Sequence, residues 1–321
     1  MFFLKSIKRA FPALLLLLLS LPAGLMAQTD EDAIMMTKNN FCIGGVYSYS
    51  SWTNYWEGTF KRSNANLGTV STKMFGLMGT YGINKKFNIV VSAPYIETNA
   101  SAGVLHGMKG IQDLSVWLKW LGWEKHLGNG VLSVYALGGA SVPLTNYIAD
   151  YLPLSIGLQS KTLSGRLLVD YQRGNFFATG SGTYTWRSNI TVDETSYYTT
   201  ELHNTNQVQM PDFWYFNFRT GYRSDRLIAE GTVSNMTTIG GFDIRKNAMP
   251  FPSVTMNSTM VGADFKYTFK AVSGLSLVGG GNTTLAGRNV GQATGWDIGV
   301  FYVLDFSHKT KQPNSTSPKT K

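Results

Sequence analysis

The chain has 321 residues, of which 43% are hydrophobic, 13% aromatic and 15% charged, and 34 are glycine. A chain this rich in aromatic residues and glycine, and this poor in charge, is not a disordered chain, a coiled coil or a disulfide scaffold. Its single cysteine, Cys42, has no partner for an internal disulfide and no metal ligands near it in the sequence. We interpret Cys42 as a strand residue and not as a redox or metal-binding group.

The net charge of +9 is concentrated at the two ends of the chain. Seven bases precede the N-terminal apolar run or lie in the C-terminal tail: Lys5, Lys8, Arg9, Lys309, Lys311, Lys319 and Lys321. Without them, 21 basic side chains stand against 19 acidic ones, so the body of the chain is nearly neutral. This balance argues against nucleic acid as a partner.

Residues 1–27 have the three parts of a secretory signal peptide: a basic start, an apolar run over 13–20, and Leu25-Met26-Ala27 before Gln28. We expect cleavage after Ala27; the alternative is an uncleaved anchor, because Leu25 is larger than the usual residue there. No later stretch offers about 18 consecutive apolar residues, the minimum for a spanning helix. A mature chain embedded in a membrane would therefore be a β-barrel.

The two ends of the mature chain differ from its body. Residues 28–40 are too short for a separate plug domain, and we expect a short N-terminal periplasmic segment there. Residues 308–321 are predicted to be a disordered, basic periplasmic tail. Between them, residues 41–307 repeat stretches of about ten residues in which apolar side chains alternate with small or polar ones. This period of two is typical of strands with one apolar face.

Alternation predicts twelve strands, and the connections between them alternate in length. The predicted strands are 41–51, 70–82, 87–96, 111–122, 131–143, 158–172, 176–189, 213–222, 227–235, 255–270, 275–285 and 294–306. Longer polar stretches follow the odd-numbered strands and tight turns follow the even-numbered ones. An even number of strands with loops sorted in this way indicates an all-β fold, an antiparallel transmembrane β-barrel of about 12 strands with both termini periplasmic.

Aromatic residues support a membrane barrel, because such barrels carry aromatic girdles at both lipid interfaces. At the end with tight turns, the last residue of apolar parity is aromatic in all six descending strands: Tyr81, Trp120, Tyr171, Tyr222, Phe269 and Phe306. A second belt is predicted at the opposite rim: Tyr95, Trp186, Trp214 and Trp296. This spacing predicts contact with outer-membrane lipid.

The other parity should line the lumen and carries both signs of charge. Its charged members are Asp113, Lys119, Arg166, Asp170, Arg187, Arg219, Glu230, Asp264, Lys266, Asp297 and Asp305. In one interpretation these charges select polar or zwitterionic solutes in a water-filled pore. In the other they form a salt-bridged network that fills a narrow barrel and fixes its register. The near balance of charge argues against strong anion or cation selectivity in either case.

Signals of enzyme activity are weak. The histidines, His106, His126, His203 and His308, fall in predicted loops, a turn or the tail, without the spacing that would activate a nucleophile. No cluster with metal-ligand spacing or phosphate-binding loop is present, so we expect no metal and no cofactor. The longest loop, 191–212, is either a mobile surface loop or a segment that reaches the pore mouth.

One stretch resembles a known family. Tyr81 to Tyr95 reads YGINKKFNIVVSAPY, followed by Gly107, the sequence GIQDL over 110–114, and Lys119. This pattern resembles the outer-membrane barrel family named for the meta-pathway of phenol degradation, over about residues 79–145. The sequence departs from the family pattern in two places. The family often has a second glycine before Asp113, where this chain has Ile111-Gln112, and this chain continues as a tail beyond Phe306. The resemblance implies transport of small compounds, aromatic or apolar ones among them.

We therefore predict an outer-membrane channel or transporter, without enzymatic activity, that passively moves small solutes in a Gram-negative-type bacterium. The expected partners are membrane lipid, the barrel-assembly machinery and a small-molecule solute. The alternative is a closed structural or surface-binding barrel whose long loops contact ligands or partners. A third possibility, an outer-membrane hydrolase, would need a cluster of Ser, His or acid at the rim that the sequence does not show.

Overall fold

The computed structural model describes residues 29–245 and 248–307. The predicted signal peptide, the tail and His308 lie outside these residues. Twelve long antiparallel strands dominate: β1 (Asn40–Trp52), β2 (Val70–Gly82), β3 (Phe87–Ala100), β4 (Asp113–Leu127), β5 (Gly130–Pro143), β6 (Thr162–Arg173), β7 (Phe176–Arg187), β8 (Asp212–Arg223), β9 (Leu227–Ile239), β10 (Asn257–Thr268), β11 (Leu275–Arg288) and β12 (Thr294–Asp305). Within the described ranges, no helix is long and apolar enough to cross a membrane.

The strands form one closed ring. Each pairs with its neighbours in chain order, and β1 also pairs with β12, from Asn40 opposite Asp305 to Ser51 opposite Thr294. Because every long strand has two partners, the ring has no open edge on which backbone groups would lack hydrogen bonds in lipid. The predicted all-β antiparallel barrel of twelve strands is confirmed.

Several strand ends differ from the prediction. β4 runs five residues beyond the predicted end at 122, because a β-bulge between Leu121 and Trp123 interrupts the alternation without ending the pairing. Ile111, predicted to begin this strand, lies in a separate short strand, Lys109–Ile111, that pairs with β3. β6 begins at Thr162 and not at 158, since Gln159 has a positive φ of 58° and bonds to the preceding loop.

The outer wall of the barrel is apolar. Large side chains of one parity are exposed along the strands, for example Phe75 and Leu77 on β2 and Phe216 and Phe218 on β8. In water such a continuous apolar surface would be unfavourable, whereas a bilayer solvates it. The aromatic residues predicted for the girdles all lie on this surface, exposed or half-buried: Tyr81, Tyr95, Trp120, Tyr171, Trp186, Trp214, Tyr222, Phe269, Trp296 and Phe306.

The two rims of the barrel differ. One rim carries tight turns, of which Arg173–Asn175 bends through Gly174 at a φ of 58°. The first and last barrel residues, Asn40 and Asp305, lie at this rim, which we call the turn rim. The opposite rim, the loop rim, carries the long connections, and these pack against one another. In the longest, Ile190 and Val208 are buried in an apolar cluster.

Candidate functional site

A short N-terminal stretch lies inside the barrel. We call residues 29–36 the lumen segment; it includes three consecutive acids, Asp30, Glu31 and Asp32, that contact inward-facing bases on the barrel wall. The sequence predicted a short periplasmic segment over residues 28–40, too short for a separate plug domain. In the structure residues 29–36 lie inside the barrel, where their acids and several of their backbone carbonyls bond to the lumen wall. Their location relative to the periplasm stays a prediction.

Lys119 on β4 is the most buried contact of the lumen segment. Its ammonium donates hydrogen bonds to the carbonyl oxygens of Thr29, Asp32 and Ile34 at 3.1, 2.6 and 2.9 Å. It also donates to Oδ1 of Asp32 at 2.9 Å. Lys119 is fully buried, so these acceptors replace the water that a buried ammonium loses.

Two arginines on β6 and β8 contact the acids of the lumen segment. Arg166 on β6 donates from Nη1 to Oδ2 of Asp30 at 3.1 Å and to its carbonyl at 2.8 Å. Arg219 on β8 bridges Glu31 at 3.3 Å and Glu230 on β9 at 2.9 Å. Arg166 also stacks on Trp117, with the guanidinium 4.6 Å from the ring centroid. Because Arg166 is seven residues from the end of β6, the segment reaches well into the barrel.

Further contacts of the lumen segment involve its backbone and the side chain of Met36. Tyr135 on β5 donates its hydroxyl to the carbonyl of Ala33 at 2.8 Å. Met36 is buried against Cys42, Phe301 and Val303 on the inner wall. Cys42 is therefore part of an apolar cluster, in agreement with its interpretation as a strand residue.

A further ion pair lies nearer the turn rim and does not involve the lumen segment. Asp170 on β6 bonds to Arg223 on β8 at 3.2 Å and accepts a hydrogen bond from Thr179. The Arg223 guanidinium covers Phe177, 3.8 Å from its centroid. This pair links β6 and β8 across the inner face of β7.

Open space remains in the lumen beside the segment and nearer the loop rim. One cavity of about 350 Å³ lies between the segment and β8–β12, β1 and β2; its charged lining is Asp30, Glu31, Asp32, Arg219, Arg223, Glu230, Asp264, Lys266 and Asp297. Another, of about 330 Å³, lies toward the loop rim along β4–β8 and includes Asp113, Arg166 and Arg187. We call the latter the loop-side chamber.

Ten of the eleven charged residues predicted for the lumen, all but Asp305 at the turn rim, line its cavities or contact the lumen segment, but they do not form one network. Arg219 pairs with Glu230, as opposed rows of charge would suggest. Lys119 and Arg166 instead pair with the lumen segment, and Asp170 pairs with Arg223. Asp113 accepts a hydrogen bond from the Tyr147 hydroxyl at 2.7 Å, and burial together with this carboxylate raises the pKa of Tyr147.

Sequence reasoning missed four charged members of the site. Arg223 fell in the tight turn between the predicted strands 213–222 and 227–235. It has the same parity as Arg219, so extending the first of these strands by one residue would have found it. Asp30, Glu31 and Asp32 belong to a stretch without alternation. The available signal was their charge, since three consecutive acids stand just before a barrel whose predicted lumen carries five bases.

The described residues show no metal centre. No group of three or more His, Cys, Asp or Glu side chains among them is placed to hold a metal ion. His203 bonds to Thr199 at 2.9 Å and stacks on Tyr197 within a loop hairpin. Its contacts are those of a structural residue.

The sequence matches no protein-family model and no curated protein sequence. Among solved structures, the chain is similar to an outer membrane channel from Pseudomonas putida F1, with a TM-score of 0.68 and 13% identity, over 87% of this chain and 100% of that one. The translocator domain of the autotransporter NalP from Neisseria meningitidis gives a TM-score of 0.43 and 9% identity, over 93% and 95% of the two chains. Together with the apolar outer wall, the first likeness identifies the fold as that of a Gram-negative outer-membrane barrel. Membership of the phenol meta-pathway family stays a prediction.

Proposed function

We propose that this protein is an outer-membrane channel for small solutes in which the lumen segment controls the opening of the pore. The observation that carries the proposal is the seating of residues 29–36 on Lys119, Arg166 and Arg219 in the centre of a closed barrel. The segment occupies the path between the two rims. Moving it aside would join the spaces that now lie beside it and nearer the loop rim.

The contacts of the segment are suited to a reversible change. Its charged groups are held by ion pairs and hydrogen bonds to the lumen wall, which water can replace when the segment leaves. Apolar packing adds to these contacts in two places, since Ala33 and Met35 pack in one cluster of the lumen wall and Met36 packs in another. The wall bases would then become the charged lining of an open pore.

The proposed orientation places the turn rim and both termini in the periplasm, after cleavage of residues 1–27. The apolar belt and its aromatic residues contact outer-membrane lipid, and the barrel-assembly machinery inserts the chain. The resemblance to the phenol meta-pathway family extends the proposal to small aromatic or apolar solutes, and the name of the similar Pseudomonas putida protein supports passage of solutes in general.

Planar-bilayer conductance tests this function. The mature chain is refolded in detergent, shown to migrate differently before and after boiling, and compared with a variant lacking residues 28–36. We expect discrete conductance steps that are larger or longer-lived in the deletion variant. Lys61→Met, which changes an exposed loop lysine outside the lumen, is the matched control and should conduct as the parent chain does.

A closed barrel that binds ligands with its loops is the second candidate. It is favoured by the packed loop rim, where a cluster around Val208 and Met210 brings three loops together. If the folded deletion variant is as silent as the parent chain, the channel proposal fails. The second candidate would then be tested by searching for ligands that bind the loop rim.

A further inference from the structure

We propose that the loop-side chamber binds a hydroxylated carboxylate of about the size of a sugar acid. This inference rests on the proposed channel function and deepens it, since it adds a polar, anionic class of solute to the aromatic or apolar solutes that the family resemblance implies. It begins from Arg187, a base of the lumen wall whose guanidinium makes no ion pair within 4.0 Å among the described residues.

Arg187 differs from the bases that hold the lumen segment. Its guanidinium makes one hydrogen bond among the described residues, from Nη1 to the carbonyl of Pro211 at 3.3 Å, and no ion pair within 4.0 Å. The neighbouring acid, Asp212, is used by the backbone amide of Arg187 and by the Tyr184 hydroxyl. The guanidinium has five N–H donors, so most of them are available to a ligand in the chamber.

Arg187 is also held in position. Its guanidinium lies over the face of Phe213, 4.4 Å from the ring centroid. An arginine stacked on a ring presents a flat fork of donors that matches the two oxygens of a carboxylate. Because the side chain is already ordered, a bound carboxylate would cost less conformational entropy.

A row of hydroxyl groups leads from Arg187 across the chamber wall. Strand pairing places Arg187 opposite Thr162, Thr162 opposite Ser141, and Ser141 opposite Ser115. The row crosses four neighbouring strands and spans about 14 Å at the usual strand spacing. Ser141 and Thr162 bond to each other at 2.7 Å and keep further hydrogen-bonding capacity, because each hydroxyl can donate once and accept twice.

Acceptors for ligand hydroxyls lie at the far end of this row. Oδ1 of Asp113 accepts from Tyr147, which leaves Oδ2 for a donor in the chamber. The side-chain amide of Gln112 lines the same space and makes no hydrogen bond among the described residues. A ligand with its carboxylate on Arg187 and hydroxyls toward Asp113 would satisfy both ends. The chamber volume of about 330 Å³ lies at the lower end of the range of small-molecule pockets.

Calorimetric titration of the folded mature chain in detergent tests the inference with three probes. Glucuronate carries both recognised features, glucose lacks the carboxylate, and acetate lacks the hydroxyls. We expect glucuronate to bind more tightly than either. Arg187→Gln should weaken glucuronate binding about tenfold or more, as expected for lost charge-assisted hydrogen bonds, and leave glucose unaffected.

The matched control is Arg245→Gln, which removes a loop guanidinium stacked on Tyr198 outside the chamber and should leave glucuronate binding unchanged. Equal binding of glucuronate and glucose, or equal affinity in folded Arg187→Gln and parent chains, would overturn the inference. Binding in detergent does not require conduction. A silent barrel that binds glucuronate therefore contradicts the channel alone, and a conducting barrel that ignores glucuronate contradicts this site alone.

Discussion

At the scale of single residues, the ammonium of Lys119 binds mainly to the backbone of the lumen segment. Three of its four acceptors are main-chain carbonyls of the lumen segment, and one is the Asp32 carboxylate. A buried ammonium without acceptors is strongly unfavourable, so the side chain and the segment depend on each other. The position of the segment is therefore fixed more by the path of its backbone than by the side chain of Asp32.

This dependence predicts unequal effects for the two partners. Lys119→Met should destabilise the seated segment by about 3–5 kcal/mol, since it leaves the Asp32 carboxylate buried without its partner. Asp32→Asn keeps the carbonyl acceptors and should have the smaller effect. Hydrogen exchange of the amides of residues 29–36 measures both, and equal protection in the two variants would contradict this account.

Asp243 gives a prediction for pH at the loop rim. Two hydrogen bonds from Arg288, at 2.8 and 2.6 Å, hold the pKa of Asp243 below its ordinary value of 3.8. Because the folded pKa is the lower one, the carboxylate stabilises the folded loops above pH 3.8, and this contribution is lost as the pH falls through the lowered pKa.

The measurement for Asp243 is hydrogen exchange near Asn289, which accepts hydrogen bonds from the amides of Gly58 and Ile244 and donates one to Asp243. Protection of these amides should decrease as the pH is lowered through this range. In Asp243→Asn the protection should be lower at neutral pH and should not respond to acid. A parallel acid response in that variant would assign the effect to another group.

At the scale of elements, the two faces of β5 carry different constraints. Gly139 faces inward, where an added Cβ would lie 2.5 Å from ring atoms of Trp117. Trp117 supports Arg166, so this close approach couples the strand to the seat of the lumen segment. Gly138 faces lipid, and an added Cβ would meet no atom within 4 Å.

Alanine substitutions at these neighbours provide a matched pair. Gly139→Ala should lower the free energy of unfolding by about 1–3 kcal/mol through overpacking against the Trp117 ring. Gly138→Ala should be neutral or slightly stabilising, because alanine restricts the unfolded chain without a clash. Thermal unfolding followed by heat-modifiable gel migration compares the two variants. A similar loss of stability in both would show that the Trp117 contact is not the cause.

The elements also show which parts of the structure the sequence could predict. Strands such as β12 follow from the strict alternation of Trp296, Ile298 and Val300 with polar or small residues. The lumen segment could not be predicted in this way, because it has no periodic pattern and is held by wall residues about 90 to 190 positions away. Periodicity in the sequence indicates local structure and does not reveal contacts between residues so far apart in the chain.

The same distinction applies to the site. The alternation predicted that Arg166, Arg187 and Arg219 face inward, since successive side chains of a strand point to opposite faces of the sheet. Which of these bases stays without an ion pair depends on acids outside the strands, Asp30 and Glu31, which pair with Arg166 and Arg219 and not with Arg187. The loop-side chamber could therefore be recognised only once the partners were placed.

At the scale of the whole molecule, the lumen charges predict the sign of ion selectivity. Arg166→Gln with Arg219→Gln removes two bases and leaves the acids of the lumen segment without these partners, so the reversal potential should shift toward cations. Asp30→Asn with Glu31→Gln removes acids from the same ion pairs and should shift it toward anions. Both double variants weaken the seat of the segment, so conductance should rise in both.

Opposite shifts in reversal potential, together with a rise in conductance in both variants, would show that the charges set ion selectivity and that the segment blocks the pore. The reversal potential is measured across a bilayer with a salt gradient. Unchanged selectivity together with lower thermal stability would instead indicate that the charges serve the barrel only as a structural network.

The lumen segment is joined to the barrel by a short link, since only Thr37–Asn39 separate Met36 from the start of β1. A displaced segment therefore remains beside its own binding site at an effective concentration on the order of millimolar. Reseating is a unimolecular event that does not depend on the amount of protein in the membrane. A synthetic peptide with the sequence of residues 29–36 could compete only at comparable concentrations, and cutting the link would convert a reversible closure into a permanent loss.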